Sequence, residues 1–65
     1  MERIPMVSSN IASAGYENGI LEVEFTSGAL YGYSATPEEW EAFQSAPSAG
    51  KYFAQHFKTR AFSRR

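Results

Sequence analysis

The residues that could do chemistry stand out in the stretch SAGK. Ser48, Gly50 and Lys51 follow Pro47 and open a segment with helical spacing. Free backbone N–H groups at the start of a helix attract anions, a glycine allows close approach, and a lysine adds positive charge. The spacing therefore predicts an anion site, for which the phosphate of a nucleic acid is a candidate ligand. The alternative is that Ser48 only caps the helix and Gly50 packs against the sheet.

Catalytic side chains are scarce in this sequence. The chain has no aspartate and no cysteine, and His56 is its single histidine. A serine and this histidine have no G-x-S-x-G nucleophile motif around them. The Gly50-Lys51 pair lacks the earlier glycine of a phosphate loop, because Ser45 stands in its place. One histidine cannot build a zinc site alone. The sequence thus predicts a protein that is not an enzyme, with no metal and no cofactor.

Charge is distributed unevenly along the chain. Residues 1–50 hold seven acidic residues and one basic residue, Arg3, for a balance of −6. Residues 51–65 hold no acid and have a balance of +5 from Lys51, Lys58, Arg60, Arg64 and Arg65. Such asymmetry predicts a partner for the basic end. The alternative is a solvated helix end followed by a frayed tail, and the net charge of −1 argues against strong non-specific binding.

Two hairpins must form before these residues can be positioned. Asn18-Gly19 is the preferred pair for a two-residue type I′ turn, because both positions need a positive φ. This turn predicts that Ala14 faces Val23 and that Ala12 faces Phe25. One face of the hairpin is then apolar and the other carries alternating glutamates, which is typical of a half-buried antiparallel sheet.

Tyr31 and Tyr33 are two residues apart on the next strand, so they share a face. A three-residue loop with Gly28 in the left-handed conformation would place Tyr31 across from Val23 and Tyr33 across from Leu21, in the core. A two-residue turn would place both rings on the outer face as a platform for bases. Serine is a poorer first turn residue than asparagine, so the sequence favours the longer loop and buried tyrosines.

Two helices are expected after the strands. Thr36 and Glu39 form a capping box around Pro37 at the first helical position. Ser48 starts the second helix, in whose last turn Lys58 and Arg60 are expected. The predicted fold is a single α+β domain over residues 1–65. It consists of a three-stranded antiparallel meander packed on one face by two C-terminal helices, with a core over about residues 7–62 and a basic tail over residues 63–65.

Five motifs together resemble the KTSC domain; in chain order they are SSNIASAGY, LEVEFTSG, YGY, APSAGKYF and HFKTRAF. This family is named for the C-terminus of some lysyl-tRNA synthetases and also occurs as small stand-alone bacterial proteins. The resemblance runs from about Val7 to Phe62, with the Tyr-x-Tyr pair as its central mark. The positions that it carries over are Tyr31, Tyr33, Ser48, Gly50, Tyr52, Phe53 and the Lys58/Arg60 region. Ala54 departs from the pattern, because family members often have asparagine there.

The resemblance implies RNA, including tRNA, as a partner, because of the synthetase fusion; that is association and not a site argument. We therefore predict a small non-catalytic domain that binds RNA through its second helix and basic C-terminus. The predicted RNA or anion contacts are Ser48, Gly50, Lys51, Tyr52, Lys58, Arg60, Arg64 and Arg65. Tyr52 would stack on a base if its ring is exposed.

The alternative function is a protein-interaction or regulatory module, which could be homodimeric. Ile20, Leu30 and Phe62 would supply its apolar contact patch. No membrane partner is expected, because no apolar run approaches the ~18 residues of a membrane span. The absence of cysteine and of a signal peptide makes the cytoplasm the expected location, and the oligomeric state stays open.

Overall fold

An antiparallel sheet forms one layer of the molecule, and two helices form the other. In this computed structural model, which describes residues 2–64, five strands follow one another across the sheet in chain order. The strands are β1 (Ile4–Pro5), β2 (Ile11–Glu17), β3 (Ile20–Phe25), β4 (Leu30–Ser34) and β5 (Phe62–Arg64). Helices α1 (Pro37–Ser45) and α2 (Ala49–His56) lie between β4 and β5 in the chain. The predicted α+β class is confirmed, but the prediction of a three-stranded sheet is wrong, because the sheet has five strands.

The two missed strands are short edge strands whose pairing depends on distant residues. Strand β1 has two residues that pair with β2, and β5 has three that pair with β4. Neither segment alternates long enough to be recognised as a strand from sequence. Ser63 and Arg64, expected in a basic tail, instead pair with Gly32 and Tyr31 of β4. None of the helices within residues 2–64 has the length and apolar character needed to cross a membrane.

The first hairpin turns at Asn18 and Gly19, as predicted. Their φ angles are 53° and 79°, the left-handed values that a type I′ turn requires. The predicted pair of Ala14 with Val23 is confirmed, and both residues are 0% exposed.

A bulge at the start of β2 overturns the predicted pair of Ala12 with Phe25. The register shifts between Ile11 and Ser13, so that Ile11 faces Phe25. Ile11 is only 1% exposed, whereas Ala12 is exposed. The extra residue places a large apolar side chain on the core face where the regular register would have placed a methyl group.

The second hairpin has the predicted three-residue loop, which places both tyrosines on the inner face of the sheet. Its ends are joined by hydrogen bonds from the Phe25 N–H to the Ala29 carbonyl and from the Gly28 N–H to the Phe25 carbonyl, both 2.9 Å. Gly28 has a φ of 96°. Tyr31 therefore faces Val23 and Tyr33 faces Leu21, which confirms the inward register.

Replacing Gly28 by alanine is expected to lower the free energy of unfolding by about 1–2 kcal/mol, because a left-handed backbone brings an L-residue's Cβ close to a carbonyl oxygen. A Cβ at this position would meet nothing within 4 Å, so backbone strain accounts for the whole effect. Urea denaturation measures it. Ser9→Ala, at an exposed position without a positive φ, is the control, and an equal loss in both variants would contradict this explanation.

The core lies between the sheet and the two helices. Its largest fully buried side chains are Phe43, Phe57, Ile11, Leu21 and Val23. The predicted capping box is present: the Glu39 N–H donates to Thr36 Oγ1 at 3.1 Å and the Thr36 N–H donates to Glu39 Oε1 at 2.9 Å. Helix α2 ends at His56. Lys58 and Arg60 therefore lie in the connection to β5 and not in the last helical turn as expected.

Candidate functional site

A groove with aromatic walls runs beside α2. The groove is lined by Phe25 and Tyr31 from the sheet, by Phe53 from α2 and by Lys58. Its volume is about 450 Å³. The rings stand at steep angles to one another: Phe25 lies 5.7 Å from Tyr31 at 65° and 5.3 Å from Phe53 at 77°. All three aromatic side chains are half-buried. We call this depression the aromatic groove.

Two further depressions adjoin the aromatic groove. We call the first of them the serine pocket. It shares Asn10, Gly50 and Ala54 with the aromatic groove. The other residues that line the serine pocket are Val7, Ser8, Ser9, Ser48 and Lys51. The third depression shares Ala29 and Tyr31 with the groove and reaches Arg64 on β5. The three depressions together form a continuous surface from the start of α2 to the edge strand, which we call the α2 surface.

Among residues 2–64, the side chains that line the α2 surface include three cations and no carboxylate. Lys51, Lys58 and Arg64 line one depression each, and all three residues are exposed. Glutamates lie elsewhere in residues 2–64. Glu24 is on the outer sheet face, where it accepts a hydrogen bond from Ser13 Oγ at 2.8 Å, and α1 carries three glutamates in its sequence PEEWEAFQS.

The polar side chains of the serine pocket organise their own loops. Ser48 Oγ accepts a hydrogen bond from the Lys51 N–H at 3.3 Å, so Ser48 caps α2. Ser8 Oγ accepts from the Ile11 N–H at 3.3 Å. A Cβ added at Gly50 would lie 3.3 Å from Ser8 Oγ, so the loop before β2 comes close to the first turn of α2. The cap accounts for Ser48, and the predicted anion site at this helix start stays a prediction.

Comparison with known proteins identifies the family. The model of the KTSC domain matches residues 7–62. The chain belongs to the KTSC domain family. An uncharacterised protein of Stutzerimonas stutzeri (strain A1501) is 51% identical over 61 residues, which is 89% of this chain and 86% of that protein. The crystal structure of a KTSC domain protein from Yersinia pestis superposes with a TM-score of 0.83 at 37% identity, and the match covers 98% of this chain and 93% of that one.

Arg60 of this KTSC domain is tied into the fold and does not line the α2 surface. Its guanidinium donates from Nη1 to the Ser34 carbonyl at 3.1 Å and to Glu39 Oε1 at 3.2 Å, and it forms an ion pair with Glu39 Oε2. Its Cζ lies 4.5 Å from the centre of the Phe57 ring. These contacts engage both the edge and the face of the guanidinium, so they indicate a structural role for Arg60.

Electrostatics of the Glu39–Arg60 pair support this role. Hydrogen bonds from Arg60 and from the Thr36 backbone lower the pKa of the Glu39 carboxyl to about 2. The hydrogen bond to Glu39 raises the pKa of Arg60. The pair therefore joins the start of α1 to the connection between α2 and β5.

Tyr52 faces α1 and the core more than the α2 surface. It is half-buried, and its ring centre lies 4.2 Å from His56 and 5.9 Å from Phe43. Base stacking on Tyr52 therefore lacks the freely exposed ring on which that prediction depended. The predicted contact at Arg65 lies outside the described residues.

The family tyrosines take two different positions in this KTSC domain. Tyr33 is 5% exposed and belongs to the core, whereas Tyr31 is half-buried and lines the aromatic groove. Sequence reasoning treated both residues as core and did not single out Asn10, Phe25 or Phe53 as site residues. Each of these three residues lies in one of the family motifs, but no single motif shows that they share a groove, because the groove joins the loop before β2, the second hairpin and α2.

Proposed function

We propose that this KTSC domain binds RNA through the α2 surface. The observation that carries this proposal is that Lys51, Lys58 and Arg64 line three adjoining depressions. No carboxylate side chain of residues 2–64 lines them, in a chain whose net charge is −1. Phosphate contacts supply most of the affinity of proteins for nucleic acids. A locally positive surface on a weakly acidic chain supports selective contact with a short phosphate backbone and argues against broad non-specific binding.

The spacing of these cations along the surface supports an extended ligand. Lys51 lies near the start of α2, Lys58 follows the helix, and Arg64 lies on the edge strand. Each of the three cations lines a different depression, so a strand that crosses the surface can contact several of them. NMR titration with tRNA and with short single-stranded RNA at two salt concentrations tests the proposal. It predicts salt-sensitive shifts at the three cations, and their absence at low salt would overturn RNA binding.

Lys58→Gln is expected to weaken RNA binding by about 1.5- to 5-fold, as for an exposed ion pair. It should also reduce the slope of log affinity against log salt by about 0.7, the value for one phosphate of a single strand. Fluorescence anisotropy across a salt series measures both. Arg3→Gln removes the same charge from the outer sheet face, where Arg3 pairs with Glu22 at 3.0 Å, and should leave the slope unchanged. Equal effects of the two variants would contradict a local site.

A protein-interaction module is the second candidate function. Phe62 on edge strand β5 is 55% exposed, and Val7, which follows edge strand β1 at the other end of the strand order, is 99% exposed. Exposed apolar side chains beside an unpaired strand edge support contact with a protein or with a second copy of the chain. Self-association is tested by analytical ultracentrifugation of the protein and of its Phe62→Ser variant. If both sediment with the mass of a monomer, a homodimer through this edge is excluded.

A further inference from the structure

We propose that the aromatic groove receives one unstacked base, so that the RNA ligand is single-stranded at this site. This inference rests on the proposed function and adds the chemical class of the ligand. The bases of a duplex are stacked and paired, and their faces are unavailable to side chains. Single-stranded segments can turn a base outwards onto aromatic rings.

The three rings of the groove form a corner suited to a flat aromatic ligand. Phe25 meets Tyr31 and Phe53 at 65° and 77°, so the rings give walls of different orientation. These edge-to-face contacts hold the three rings against one another. The part of each half-buried ring that faces the groove is then available to a planar base, because aromatic groups pair by stacking or edge to face. The volume of about 450 Å³ falls within the range of ligand pockets.

Polar groups at the rim match the edge of a base. Asn10, Thr26 and Ser27 line the same groove as the rings, and all three are exposed. The Thr26 hydroxyl also donates to the Ser9 carbonyl at 3.4 Å, and the Ser27 hydroxyl accepts from the Ala29 N–H at 3.5 Å. An asparagine amide offers both a donor and an acceptor, which is the pattern that a base edge presents. The groove therefore combines apolar walls with a hydrogen-bonding rim, and a lipid chain or an aliphatic side chain would leave that rim unused.

Positive charge beside the groove favours an RNA base over an apolar peptide as the ligand. Lys58 lines the groove itself, Lys51 lines the serine pocket that adjoins it, and Arg64 lies beyond Tyr31. A base held among the rings brings its own phosphate and those of its neighbours towards these cations. Single-strand binding sites use the same combination of stacking rings and flanking positive charge.

The unchanged protein tests the inference with three RNA probes of equal phosphate number: a single-stranded oligouridine, the same oligomer with abasic ribose at every position, and a duplex. Stacking of one base predicts that the oligouridine binds about 5- to 150-fold more tightly than the abasic oligomer. It should also bind more tightly than the duplex. Equal affinity for all three probes would overturn the base site and leave the proposed RNA binding intact. If none of the probes binds, RNA binding and the base site both fail.

Ala54 offers a variant that closes the groove without touching the core. It is exposed on α2 and lines both the aromatic groove and the serine pocket. Ala54→Trp should remove the preference for oligouridine over the abasic oligomer. Gln55→Trp, at the exposed neighbouring position, adds the same side chain outside the groove and should preserve that preference. If the Ala54→Trp variant still prefers oligouridine, the inference is overturned. Circular dichroism checks that both variants fold.

Discussion

Tyr33→Ala is expected to lower the free energy of unfolding by about 3–5 kcal/mol, as other truncations of large buried aromatic residues do. The ring is 5% exposed and lies 5.3 Å from Phe53 and 5.9 Å from both Phe57 and Phe62. Its removal leaves a cavity between β4, α2 and β5. A small domain has little stability to spare, so this variant should be largely unfolded near 37 °C. Urea and thermal denaturation followed by circular dichroism measure the loss.

Two further variants separate the contribution of the Tyr33 ring to stability from the contributions of its hydroxyl and of the neighbouring Tyr31. Burial, together with the nearby Tyr31, raises the pKa of the Tyr33 hydroxyl. Tyr33→Phe keeps the ring volume and is expected to cost less than about 1.5 kcal/mol. Tyr31→Ala removes a half-buried ring at the edge of the groove and should cost less than Tyr33→Ala. A loss below about 1 kcal/mol for Tyr33→Ala would be typical of a surface position and would contradict the inward register.

The inward position of these tyrosines was predictable because turn chemistry fixes register over short distances. Asn18-Gly19 set the pairing of β2 with β3, and Gly28 set the pairing of β3 with β4. The type of each turn, and with it the register of the strands, is determined by only a few neighbouring residues. The capping boundaries at Thr36 and Ser48 were predictable for the same reason, since a cap is a local hydrogen bond.

Features that depend on distant residues were not predictable. The bulge beside Ile11 brings a large side chain into the core opposite Phe25, and the residues that surround this side chain lie outside β2. Strand β5 forms because Phe62 packs on Tyr31 at 4.9 Å and on Tyr33 at 5.9 Å, about thirty residues earlier in the chain. The aromatic groove likewise exists only after these segments come together.

The basic end of the chain divides into two groups with different roles. Lys51, Lys58 and Arg64 lie on the α2 surface, whereas Arg60 is bound to Glu39 and to the Ser34 carbonyl. Counting charge along the sequence gives these residues equal weight, because a partner 21 positions away is not apparent in the pattern. The positive charge available to a ligand is therefore smaller and more localised than the sequence indicates.

Glu39→Gln is expected to lower the free energy of unfolding at pH 7 by about 1–2 kcal/mol, which lies between the value for an exposed ion pair and that for hydrogen bonds to a charged group. The carboxylate accepts two hydrogen bonds from Arg60 and one from the Thr36 N–H, and charge-assisted bonds of this kind exceed neutral ones. The side chains of Glu39 and Arg60 are 24% and 36% exposed, so solvent screening keeps the loss below the ~3–5 kcal/mol expected when a fully buried pair is broken. The amide that replaces the carboxylate would offer only a neutral acceptor and would leave Arg60 without its ion pair.

The cost of Glu39→Gln should depend on pH in a defined direction. The pKa of Glu39 is about 2 in the folded chain, against about 4.3 for an unfolded glutamate. The carboxylate therefore stabilises the fold fully above about pH 4.3, and this contribution disappears as the pH falls towards 2. Urea denaturation at pH 7, 5, 3 and 2 should show the two proteins converging. Glu41→Gln, at an exposed position of the same helix, should show little difference at any pH, and a Glu39→Gln difference that persists at pH 2 would contradict the ion-pair explanation.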